Sequence, residues 1–100
     1  MSNQSSVTIE GCDYKLEFDF DLLVRAEEET RLNLLLALTH IDLASAGQFR
    51  GIFAALLWKH SPRMTLAEIG ALITPVSLPA IAAAFGQLFP EEEKPETPAA

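Results

Sequence analysis

Cysteine occurs once in this chain, at Cys12, so no intramolecular disulfide can form and a reducing compartment suits the composition. Histidine occurs twice, at His40 and His60, and with a single cysteine no spacing resembles a zinc site. The same scarcity leaves no way to gather a nucleophile, a base and an orienting group, so neither an enzyme nor a cofactor-binding protein is expected. Bases number seven against fourteen acids, which disfavours a phosphate backbone, whose binding rests on clustered Lys and Arg that displace counterions. Nucleic acid is not an expected partner. The first residues have neither the basic region nor the apolar core of a signal peptide, and a cytoplasmic protein is expected.

What is present is apolar bulk with acidic ends. Residues 1–29 carry eight acids and two bases, residues 30–90 two and four, and residues 91–100 four and one. With 49% hydrophobic residues the chain can sustain one modest core, expected over residues 1–89. Residues 90–100, acidic and proline-rich, are expected to be a disordered tail. Between Glu68 and Glu91 no residue is charged, long enough to raise the question of a membrane span. Pro75 and Pro79, with Thr74 and Ser77, break it into two short helices, whereas lipid demands a continuous hydrogen-bonded rod, so no membrane is expected.

Residues 7–10 and 14–18 alternate apolar and polar side chains, with Gly11 and Asp13 between them. That pattern predicts a β-hairpin, with Tyr14, Leu16 and Phe18 on one face, Val7 and Ile9 pairing with them, and Lys15 and Glu17 toward water. The alternation passes into a helical period without a loop. Asp19 is placed to cap a helix running to about Thr30 and burying Phe20, Leu23, Val24 and part of Glu27, with Glu27 also spaced to pair with Arg31 and the run from Glu27 to Glu29 reading as a solvated face. Residues 32–38 form a short apolar helical turn or two, and His40 and Asp42 a polar loop.

A long helix is expected from Ala44 or Ser45 to about His60. Ala46, Phe49, Ile52, Phe53, Leu56 and Leu57 make its core stripe, with His60 on that stripe near the end. Gly47, Gly51, Ala55 and Trp58 form a small-residue ladder on the other side, where either a second helix of the same fold, the favoured reading, or a partner would approach closely. Thr65 to Glu68 is a capping box opening a helix to about Ile73. Ser77 would cap a last helix, with Pro79 in its first turn. The expected architecture is α+β: an N-terminal hairpin packed on a bundle of four or five helices.

The succession of residues 14–23, 27–34, 49–58 and 64–73 resembles the small tail assembly chaperones of tailed bacteriophages and gene transfer agents, over roughly residues 7–75. Similar sequences often have Gly where this chain has Arg31, a change that disfavours a left-handed helix cap there. The resemblance implies a non-enzymatic protein of phage or prophage origin, acting in the bacterial host cytoplasm. Such a protein binds the long helical tape measure protein, keeps it soluble and helps recruit tail-tube subunits, and it is absent from the mature particle. Exposed apolar helix surface, negative charge and the lack of a reaction centre all suit that role. Partner binding, and any self-association, is expected on a helical surface carrying Trp58, Leu72, Ile73, Ile81, Phe85, Leu88 and Phe89. The alternative is a structural tail subunit, a tube or joining protein, retained in the particle.

Overall fold

A computed structural model of the chain describes residues 4–89. The expected tail, residues 90–100, lies outside the described residues. Two antiparallel strands, β1 (Gln4–Ile9) and β2 (Cys12–Glu17), are followed by five helices: α1 (Phe20–Thr30), α2 (Leu34–Thr39), α3 (Ala46–Leu57), α4 (Leu66–Leu72) and α5 (Leu78–Leu88). A single 3₁₀ turn, Ile41–Leu43, links α2 to α3. The α+β architecture read from the sequence, a hairpin on a helical bundle, is the one observed.

The hairpin pairs Val7 with Tyr14 and Ile9 with Cys12. Its turn is two residues long: Glu10 and Gly11 both have positive φ, 53° and 83°, the combination that matches strand twist. Asp13 belongs to β2, where its carboxylate accepts a 2.6 Å hydrogen bond from the Thr8 hydroxyl. Val7, Ile9 and Leu16 are buried, and an isolated hairpin would have nothing to bury them against. α3 packs on β2 and α5 along β1, so the sheet is covered by the middle and the last helix.

α3 is the centre of the molecule, in contact with α1, α2, α4 and β2. Every residue from Gly51 to Trp58 is buried, which follows from an apolar run with no polar side to turn outward. The Ser45 hydroxyl and the Gln48 side chain close a capping box at its start. The small-residue ladder has the internal cause expected of it: a side chain at Gly51 would meet Leu34 Cδ1 at 2.9 Å. Two members of the expected core stripe lie elsewhere. Ala46 is exposed, and His60, just past the helix, is exposed and meets Glu17 Oε1 at 3.0 Å. The helix ends at Leu57, and the chain turns before His60 can continue its stripe.

α1 is capped as expected: Asp19 accepts from the Asp21 amide at 3.0 Å. Its buried stripe differs. Leu23 and Ala26 face the core, while Phe20 is 56% exposed and Val24 also lies outside. The offset arises because α1 packs on α3 through the Leu23–Ala26 line. Lys59 Nζ donates to the free oxygen of Asp19 at 3.1 Å. This bond holds the Asp19 carboxyl below its usual 3.8 and the Lys59 ammonium above its usual 10.5. The stability Asp19 contributes is therefore present above about pH 3.8 and lost as pH falls through its lower folded value. The Lys59 contribution is present below about pH 10.5 and lost as pH rises through its higher folded value. Asp19→Asn keeps the cap and removes the ion pair. Its urea midpoint is expected to fall slightly below wild type near neutral pH and to converge with it as acid protonates Asp19, a convergence that parallel unfolding curves would check.

Candidate functional site

The corner between α1 and α2 is built by side chains that reach back onto the backbone. Arg31 takes the left-handed conformation, φ 61° and ψ 30°, and its amide donates to the Glu27 carbonyl. The unfavourable residue is accommodated because the chain must reverse here for α2 to lie against α3. Left-handed geometry at a non-glycine residue costs roughly 1–2 kcal/mol. Arg31 is thereby turned out of the helical register that would pair it with Glu27. Glu27 is half-buried, as expected of part of it, and in place of Arg31 it meets backbone: its Oε2 accepts from the amides of Leu34 and Leu35, both at 3.0 Å. Asn33 accepts from the Leu36 amide at 3.0 Å. Two side chains thus satisfy three of the orphan donors that open a helix.

Held this way, α2 buries Leu34 and Ala37 and turns two leucines outward, Leu35 at 48% and Leu36 at 55% exposure. The 3₁₀ turn then presents Leu43, 76% exposed. Leu36, Ala37, His40, Leu43, Ala44 and Gln48 line a cleft of about 250 Å³ with no acid in its wall. On the other side of the turn, Ile41, Asp42 and Phe49 face Phe85 and Phe89 across a second cleft of about 230 Å³. Fully burying one leucine is worth ~1.5–3 kcal/mol, and much of that remains to be gained at three of them. The region is an apolar ridge between two hollows, suited to another apolar surface.

His40 and Asp42 face different clefts, and the neighbour of His40 Nδ1 is the Thr39 hydroxyl at 2.9 Å. The His-x-Asp pair therefore converges on nothing. Among the described residues no three His, Cys, Asp or Glu side chains gather as a metal site. Also among them, no helix is long and apolar enough to cross a membrane.

The seven residues expected to form one partner surface are dispersed. Trp58, Ile81, Phe85 and Leu88 are buried, and cannot belong to a free face. Trp58 lies under the Arg25 guanidinium, 3.8 Å from the ring centroid, and its indole N–H donates to the Met64 carbonyl at 2.8 Å. Phe85 stacks on Phe49 with ring centroids 4.8 Å apart. The apolar side of α5 is covered by β1, the neighbour that the sequence pattern could not reveal. Leu72, Ile73 and Phe89 are half-buried against the core; Ile73 lines a groove beside α4 and Phe89 the second cleft. Ser77, expected as a cap, turns its hydroxyl to the Leu72 carbonyl at 2.6 Å and fastens α5 to the end of α4.

The residues missed from sequence are Leu35, Leu36 and Leu43. Asn33 before the run of leucines was a legible helix start, and in a helix of six residues only one side can be buried. The chain matches no protein-family profile, no curated protein and no solved structure.

Proposed function

We propose that this chain is a non-enzymatic tail assembly chaperone that holds an amphipathic helical segment of the tape measure protein on the ridge formed by Leu36 and Leu43. The observation that carries this reading is the exposure of those two leucines along one cleft, where they are the most exposed leucines among the described residues. A helix presents apolar residues at i, i+3, i+4 and i+7, and two hollows flanking a ridge suit such a stripe. The excess of acids, fourteen against seven bases, favours solubility while an apolar segment is carried. Tail-tube subunits are the second proposed partner, recruited to the loaded complex in the host cytoplasm, and the free protein is left out of the mature particle.

Co-expression with the long helical tail protein of the same phage or prophage cluster tests this. The expected result is a soluble tape measure protein that co-purifies in a defined stoichiometry, with this chain missing from purified particles. An insoluble partner beside a free chain, or many copies of this chain in the particle, would overturn the chaperone reading in favour of a structural tail subunit.

A further inference from the structure

The cleft between the 3₁₀ turn and α5 joins one acid to three aromatic rings. Phe49, Phe85 and Phe89 line it, with Phe49 stacked on Phe85 at 4.8 Å between ring centroids. Asp42 is the one charged side chain in that lining. It makes no ion pair among the described residues and stands on the exposed turn beside Leu43 of the ridge. Gly86 of α5 lines the same cleft. Glycine inside a helix is destabilising relative to alanine, so its presence there asks for a cause. At Gly47, Gly51 and Gly70 a neighbouring side chain takes the room that the missing Cβ leaves: Leu32 at 3.2 Å, Leu34 at 2.9 Å and Arg50 at 3.1 Å. At Gly86 a Cβ would meet nothing within 4 Å. No packing among the described residues accounts for this glycine, and the room it leaves opens onto the cleft.

We propose that this cleft receives a lysine or arginine side chain of the helix held on the ridge, its stem over Gly86 and the phenylalanine rings and its charged head on the Asp42 carboxylate. The inference rests on the tape measure reading and adds the partner's chemistry to it: an amphipathic helix with a basic residue beside its apolar stripe. Charge and shape both favour this occupant. A long basic side chain carries an apolar stem and a cationic end, and aromatic faces attract the cation as well as the stem. No base lines the cleft to compete for Asp42. The chain's net charge of -7 draws a basic partner over an acidic one. Asp42 and Leu43 are consecutive, so a helix that covers the leucine passes close to the acid. A residue three or four positions from the one on Leu43 falls on the same helix face.

The test is competition, in which purified full-length variants displace tagged wild-type chain from its co-purified complex with the tape measure protein. Gly86→Leu fills the cleft without touching the ridge and should weaken binding by about tenfold or more. Its thermal midpoint should be no lower than that of wild type, because a helix former replaces glycine. Asp42→Asn should weaken binding by about tenfold and Asp42→Glu much less, since the charge is kept. The deficit of Asp42→Asn should shrink as salt is raised. Wild-type affinity in a folded Gly86→Leu, or in Asp42→Asn, would overturn the proposal and leave the chaperone reading standing. A wild-type chain that forms no complex with the tape measure protein would overturn that reading and this inference together. A wild-type dimer that Gly86→Leu converts to monomer in sedimentation would assign the cleft to a second copy and overturn the proposal equally.

Discussion

Trp58→Ala is expected to lower the free energy of unfolding by about 3–5 kcal/mol, the range for emptying a large aromatic site in a packed core. Trp58 is 1% exposed and closes the end of α3 against Met64 and Arg25. Truncation removes its ring from the core, strips the Met64 carbonyl of its donor and leaves Arg25 without the face it covers. Arg25 itself stays anchored to Glu29 at 2.9 Å, so the damage is chiefly loss of packing. Since domains of this kind have only about 5–15 kcal/mol in hand, the variant should populate unfolded chain under mild conditions. Trp58→Phe, which keeps a ring and loses the N–H, should cost about 1–3 kcal/mol. Urea unfolding followed by far-ultraviolet circular dichroism measures both, because the chain has one tryptophan and loses its fluorescent reporter. Full stability of Trp58→Ala would return this side chain to the partner surface that the sequence suggested.

The opposite pattern is expected for Leu36→Asp combined with Leu43→Asp. These side chains are 55% and 76% exposed, and changes at such positions usually alter stability by about 0.5 kcal/mol or less each. If the ridge is the docking surface, each leucine at its centre is worth about 2 kcal/mol, or roughly 30-fold in affinity. The double variant should therefore keep its thermal midpoint within a few degrees while failing to solubilise the tape measure protein at concentrations where wild type does so. Titration of the purified complex partners would give the affinity ratio. Undiminished binding by a folded double variant would move the docking surface elsewhere, with exposed Phe20 and Val24 on α1 the next pair to change.

The parts of this architecture legible in the sequence are those decided within a few residues. Asp19, Thr65 and Glu68 act as caps because capping joins a side chain to an amide two or three positions away. The hairpin follows from its alternation. The exposed side of each helix did not follow, because it depends on neighbours distant in the chain. From Ile69 to Pro90 there is no charged residue, so nothing in that stretch marks an outer face, and β1 chose the side of α5 that is covered. Phe20 and Leu23 are equally apolar, yet the packing of α1 on α3 leaves one outside and the other buried. Glu27 illustrates the same limit: its spacing suggests a pair with Arg31, and only the left-handed turn at Arg31 brings it instead to the amides of Leu34 and Leu35.

Because β1 is covered by α5, a strand made early waits for a helix made after four others. The Ser5 hydroxyl donates to Gln87 Oε1 at 2.7 Å, a contact joining residues 82 positions apart in the chain. Until α5 emerges, Val7 and Ile9 lack that cover, and the nascent chain carries an apolar strand while α1 to α4 are made. A fragment ending before residue 78 would lack the helix that covers β1 and is expected to be aggregation-prone rather than a smaller version of this fold.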